Sequence, residues 1–207
     1  MKKLESIQLL SPKRAGAKLI LIASILLAAA PAAPAQGSDF GKYGVEAAFL
    51  SNFGKFVDWP HSAFPSPDAP IVIGVYGADP FRDSLVHIAR GRSIDGHQIV
   101  IQPLAFNTLQ NCHVLFISPS ERKNLAAIIR KLDRTCVLTV SENTDISESG
   151  VMINLVRQNN QVRFEINDAA AKRAGLKISS KLLSLATKIA MTGETSNQQV
   201  LLCDRSP

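Results

Sequence analysis

Between Val45 and Trp59 the apolar residues fall three and four apart. Val45, Phe49, Phe53 and Phe56 form one stripe, which predicts a helix over 44–59 stopped at Pro60. Four prolines in PHSAFPSPDAP (60–70) then predict an extended connection. IVIGVYG (71–77) is rich in β-branched residues and reads as a buried strand. DPFRDSLVHIARG (79–91) reads as a helix, with Asp at the cap, Pro at the first helical position and Gly at the end. Strands are predicted at 97–104, 112–118 and 136–141, with a helix over 119–132 that places Leu125, Ile128, Ile129 and Leu132 on one face.

This order of short apolar strands and helices predicts a mostly parallel sheet covered by helices. The pattern then changes. VMINLVR (151–157) and QVRFEIN (161–167) are joined by QNN and predict a hairpin, because Asn tolerates a left-handed turn. A short helix, DAAAKRAG, follows, capped by Asn167 or Asp168; a last helix is expected over 179–190, capped by Ser. The expected fold class is α/β: a single domain, mostly parallel sheet flanked by helices, with a C-terminal antiparallel hairpin.

The chain has 207 residues, 46% apolar and 19% charged, enough for one domain with a sizeable core. Its first 35 residues read differently. Lys2, Lys3, Lys13, Arg14 and Lys18 face one acid, Glu5; LILIASILLAAA follows; Ala33 and Ala35 sit at the −3 and −1 positions of an A-x-A cleavage site. This is the pattern of a secretory signal peptide, and the apolar run is short for a membrane span of about 20 residues. The alternative is an uncleaved N-terminal anchor. The expected organisation is a signal peptide at 1–35, an α/β domain at 40–191 and a polar tail at 192–207. The leader holds four of the six net positive charges, so the mature part carries +2. That removes the basic stripe a nucleic-acid partner needs.

Three cysteines remain after the leader: Cys112, Cys136 and Cys203. Cys112 and Cys136 each open an apolar strand. If those strands are parallel neighbours, their starts lie about 5 Å apart, within disulfide reach. A Cys112–Cys136 bridge and two separate buried thiols both remain open.

Candidate chemistry is sparse. There is no G-x-S-x-G, and His61, His87, His97 and His113 are scattered. A triad assembled from distant positions stays formally open, but surface or satisfied histidines are favoured. Cys112 and His113 are adjacent and on a strand point to opposite faces, which argues against a zinc site. GVYGADP (74–80) lies where a phosphate loop would, yet lacks either glycine fingerprint, so Gly77 is read as a turn residue and Asp79 as a cap. No cofactor is expected. Trp59 is read as core before interface anchor, because Phe53 and Phe56 precede it at helical spacing. In VRFEIN, Arg163, Glu165 and Asn167 share one strand face. An exposed pair of this kind adds only about 0–1 kcal/mol, and Arg163 would hold Glu165 ionised, so the face is read as polar contact surface or bare solvent face and not as an acid–base pair.

AAFLSNFGKFVDWP, IVIGVYGADPF, CHVLFIS, VLTVSE, GVMINLV, VRFEIN and AGLKISSKLLSLA resemble, in order, the blocks of the YfiR-like family over about 45–190. The resemblance implies a periplasmic, non-enzymatic regulator. Its expected partner is an inner-membrane diguanylate cyclase or another sensor protein, held inactive through its periplasmic part. An OmpA-like outer-membrane protein that sequesters the repressor is the second implied partner. Cyclic di-GMP signalling and biofilm formation would be the process controlled. In that family redox stress acts through disulfides, for which three cysteines in one chain allow no second full bridge. The residues expected at a contact surface are Arg163, Glu165 and Asn167, Lys177 and Ser179 of LKISS, and Trp59. Monomer and homodimer both stay open. The alternative reading is a periplasmic small-ligand-binding protein that delivers its ligand to a receptor; a hydrolase with a non-local triad ranks third.

Overall fold

The computed structural model of the protein describes residues 38–142 and 144–191; the expected leader and tail, Cys203 included, lie outside the described residues. The described residues start with α1 (Ser38–Phe53) and a single 3-10 turn, then enter β1 (Val57–Asp58). After the proline-rich connection come β2 (Ile71–Tyr76), α2 (Asp83–Ala89), β3 (Ser93–Ile94), β4 (His97–Pro103) and β5 (Val114–Ile117). A 3-10 segment leads into α3 (Leu125–Lys131), followed by β6 (Leu138–Glu142), β7 (Ile153–Gln158) and β8 (Gln161–Asn167). The last described elements are α4 (Asp168–Arg173), β9 (Lys177–Ile178), α5 (Ser180–Leu183) and β10 (Lys188–Ala190).

Among the described residues, eight strands form one sheet in the order β10-β8-β7-β6-β5-β2-β4-β3, and β1 pairs β9 in a separate antiparallel ladder. From β4 to β7 every neighbouring pair is parallel; β7 and β8 are the antiparallel hairpin. The α/β class, mainly parallel with a C-terminal hairpin, is therefore the architecture found. The hairpin turn is Asn159–Asn160, both at positive φ (49° and 59°), the left-handed pair that matches strand twist. The same chemistry at Asp95–Gly96 joins β3 to β4, a DG turn absent from the sequence reading.

One face of the sheet packs Ile71, Ile73, Val75, Val114, Phe116, Leu138, Val140, Ile153, Leu155, Phe164 and Ile166 against α1, α2 and α4. The other packs Leu115, Ile117 and Val137 against Leu125 and Ile128 of α3 and Leu132 at its C-terminal cap. Period-two alternation thus assigns each strand residue to one of two cores.

Several expected elements differ. Helix α1 ends at Phe53, so Trp59 is not helical, and its buried stripe is Ala47, Leu50 and Phe53, while Val45 is 47% exposed. Asp79 does not cap α2. Its Oδ1 accepts the Phe81 N–H at 2.8 Å within a turn, and Arg82, at φ 50°, precedes the helix. The expected last helix over 179–190 stops at Leu183. Thr187 then donates its N–H to the Phe164 carbonyl, and Lys188–Ala190 joins β8 as an edge strand. Tertiary pairing with an open strand edge outweighs the helical spacing of that segment.

Candidate functional site

The polar face of β8 lies on a network that starts one strand away. Asn154, fully buried on β7, accepts the Thr144 N–H at 3.0 Å and the Thr144 hydroxyl at 3.2 Å through Oδ1. Its Nδ2 donates to the Thr144 carbonyl at 2.8 Å and to Glu165 Oε2 at 3.0 Å. Ser141, at the end of β6, shares a hydroxyl hydrogen bond with Thr144 at 2.9 Å. One side-chain amide thus ties the segment after β6 to β7 and β8, with its oxygen and both N–H groups in use. Asn167 completes the tie. Its Nδ2 donates to the Ile146 carbonyl at 3.0 Å, and its Oδ1 caps α4 by accepting the Ala170 N–H at 2.9 Å.

Arg163 and Glu165 do not pair with each other. Arg163 Nη2 donates to Gln161 Oε1 at 2.8 Å and stands exposed; Glu165 is half-buried and turned to Asn154. In register, Glu165 lies beside Lys188 of β10. Of the three VRFEIN residues, Arg163 faces solvent, Glu165 is partly covered, and Asn167, 5% exposed, has a structural role.

The other expected contact residues form a second region. Lys177 Nζ lies 3.6 Å from Asp58 Oδ2 across the β1–β9 ladder, with both side chains well exposed. Ser179 holds structure: its N–H donates to the Phe56 carbonyl at 2.9 Å, and its Oγ accepts the Leu182 N–H at 3.3 Å to cap α5. Trp59 is half-buried; its Nε1 donates to the Gly54 carbonyl at 3.2 Å, and its ring meets His113 edge-on at 5.6 Å. The expected contact residues therefore divide between the β8 face and the β1–β9 ladder.

His113, 2% exposed, anchors a feature the sequence did not disclose. Its Nδ1 accepts the Val72 N–H at 3.1 Å, which leaves Nε2 to donate to the Ala63 carbonyl at 3.0 Å. Phe64 lies between two imidazoles, stacked on His113 at 4.7 Å and on His97 at 4.3 Å. His97 Nδ1 donates to the Ala69 carbonyl at 2.6 Å. Two histidines thus staple the proline-rich connection to β2, β4 and β5. Their partners lie 28 to 50 residues away in sequence, beyond any local signal.

Cys112 and Cys136 are not bridged to each other. Cys112 carries a thiol that donates to the Leu109 carbonyl at 3.3 Å, whereas Cys136 is disulfide-bonded. The register Val114↔Leu138 does bring the two positions opposite one another. Yet regular strand begins only at Val114, and Cys112 turns to the α3 side, 3.2 Å from where a Gly74 Cβ would stand. Cys136 packs on the other face with Leu138 and Val140. The sheet separates the two sulfurs.

Charge elsewhere is conventional. Lys172 Nζ sits 2.8 Å from Asp168 Oδ2, and that hydrogen bond, then the carboxylate charge, raises the lysine above its ordinary range. Among the described residues, no three His, Cys, Asp or Glu side chains stand together in a way that could hold a metal ion. Among the same residues, no helix is long and apolar enough to cross a membrane.

The YfiR/HmsC-like family model matches residues 43–187, from the middle of α1 to the threshold of β10. The chain belongs to this family. YfiR/HmsC-like proteins are periplasmic and regulatory. Comparison with curated proteins finds no match. Among solved structures, a conserved domain protein from Vibrio cholerae O1 biovar El Tor superposes with TM-score 0.50 at 13% identity, over 71% of this chain and 60% of that one. The ABC domain in complex with L-Trp from Streptococcus pneumoniae gives TM-score 0.48 at 10% identity, over 69% and 60%. The YfiR/HmsC-like chain thus spans 60% of the length of each, and the likeness to the Vibrio structure is one of fold.

Proposed function

We propose that this protein is an exported regulator that binds the periplasmic part of an inner-membrane signalling protein and represses a diguanylate cyclase, thereby lowering cyclic di-GMP and biofilm formation. The observation that carries the reading is the family match across 43–187, which takes in seven of the eight strands of the main sheet. An OmpA-like outer-membrane protein would relieve repression by competing for the same chain, and each tenfold difference in affinity between the two partners corresponds to about 1.4 kcal/mol.

The exposed groups that suit such contact are Arg163 on β8 and the Asp58–Lys177 pair on the β1–β9 ladder. Rim charges of this kind act mainly on encounter rate and partner choice. The deciding experiment is deletion of the gene with measurement of cyclic di-GMP, paired with capture of membrane proteins on the purified mature chain. A rise in cyclic di-GMP together with recovery of a cyclase or sensor supports the reading. Unchanged cyclic di-GMP with no such protein recovered refutes it.

A further inference from the structure

We propose that His113 is a proton-operated latch: its neutral ring holds the connection 60–70 and Trp59 against the sheet, and a second proton on that ring releases them. The ring's two bonds fix its state. Nδ1 accepts the Val72 N–H at 3.1 Å, so the one proton of the neutral ring sits on Nε2 and goes to the Ala63 carbonyl at 3.0 Å. A second proton has only Nδ1 to bind. There it meets the Val72 N–H, donor against donor, at a residue 2% exposed.

What the latch holds is otherwise tied locally. Backbone bonds within the connection run from Ala63 to Pro60, from Phe64 to His61 and from Ala69 to Ser66. Among the described residues, its hydrogen bonds to the sheet pass through two imidazoles, His113 at the Ala63 carbonyl and His97 at the Ala69 carbonyl. Phe64 is stacked between those rings, so a proton on each would set like charges on its two faces. Trp59 meets the His113 ring edge-on at 5.6 Å, one residue ahead of the connection. The frame itself does not depend on the ring. His113 donates its backbone N–H to the Val72 carbonyl, and its own carbonyl accepts the Leu138 N–H, both at 2.8 Å.

Neighbouring charges leave the decision to this ring. Lys55, Asp58, His61, Asp68, Asp95 and Arg134 lie on the segments around it, and all are exposed, where solvent and salt screen them. Tyr76 and Glu142 close β2 and β6 at the opposite end of the sheet from His113. His97, half-buried on β4, stands across Phe64. The folded latch needs a neutral ring, whereas an unfolded histidine takes its proton near about pH 6.5. The unfolded chain therefore binds more protons in acid, and the latch is secure at neutral pH and weakens as pH falls through the imidazole range.

Nitrogen NMR of the purified protein between pH 7.5 and 5.0, with amides and imidazoles assigned, tests this. At pH 7.5 His113 should show a bare Nδ1 and a protonated Nε2. As pH falls, Nδ1 should gain a proton and the Val72 amide should lose at least tenfold in hydrogen-exchange protection factor. Acrylamide quenching of Trp59, the chain's one tryptophan, should rise at least twofold with the same midpoint. The His113 amide should keep its protection. A His113 ring still neutral at pH 5.0 overturns the latch, as does a ring that takes its proton while Val72 and Trp59 stay unchanged. Equal loss of protection at the His113 amide, or changes at Val72 and Trp59 that follow the His61 or His97 midpoint instead, overturns it too. His113→Gln should show no such transition, and a transition retained there counts against the proposal; the wild-type titration decides the matter even where that variant fails to fold.

Discussion

Glu165 Oε2 accepts its hydrogen bond from Asn154 Nδ2 at 3.0 Å, while Arg163, two residues along the same strand face, gives its guanidinium to Gln161. The charged pair suggested by VRFEIN is thus replaced by a buried amide that reads three segments at once. Asn154→Ala should cost about 2–3 kcal/mol, because it strands the Thr144 N–H and carbonyl beside a buried void. Glu165→Gln, which keeps an acceptor for Asn154, should cost less than about 1 kcal/mol. Urea denaturation of both variants measures the difference; equal losses would show that Asn154 is not the centre of the network.

The paired imidazoles make a second case. His113→Phe keeps a ring against Phe64 but leaves the Val72 N–H and Ala63 carbonyl without their partners, at a cost of about 2 kcal/mol. His113→Ala loses the ring as well and should cost about 3–4 kcal/mol. In both, limited proteolysis should quicken within 60–70, where two of the stapled carbonyls lie. Unchanged cleavage there would mean that other contacts hold the connection.

Charge reversal at Arg163 and at Lys177 should leave stability within about 0.5 kcal/mol of wild type, because both side chains are exposed. Each should weaken capture of the membrane partner at least tenfold and raise cyclic di-GMP in cells. Folding stability and partner binding, measured on the same preparation, separate the two effects. Wild-type binding by both variants would place the contact elsewhere.

The Asp168–Lys172 pair carries a pH dependence of known sign. The lysine is raised in the folded state by the carboxylate it touches, so the support is complete below the ordinary lysine range and disappears as pH climbs through the raised value. Lys172→Met should lower the melting temperature slightly at pH 8 and converge on wild type in strongly alkaline buffer. Curves that stay parallel would indicate that the methylene stem, and not the ammonium, supports α4.

Much of the frame was legible because it rests on local pattern. The β-branched run 71–76, the QNN turn with its two left-handed asparagines and the alternation in 161–167 each announced their element. What escaped detection depended on distant chain. Lys188–Ala190 carries helical spacing, yet β8 offers an unpaired edge, so the segment becomes strand. The two sulfurs at 112 and 136 meet the register condition for a bridge, but the late start of β5 turns Cys112 through the sheet. At the candidate site, the polar face of VRFEIN could be read from its alternation, whereas its hydrogen-bond partners sit on β7 and in the segment before it. No period in the sequence encodes that Asn154 serves Thr144 and Glu165 together.

Strand β10 is three residues long and comes last among the described elements, so the outer flank of β8 is sealed only after every other strand of the sheet has emerged. Until then β8 offers its backbone amides to any passing strand, a recipe for sticky nascent chains. Premature stop codons placed just before Lys188 should therefore yield insoluble material, while stops placed after Met191 leave the seal in place.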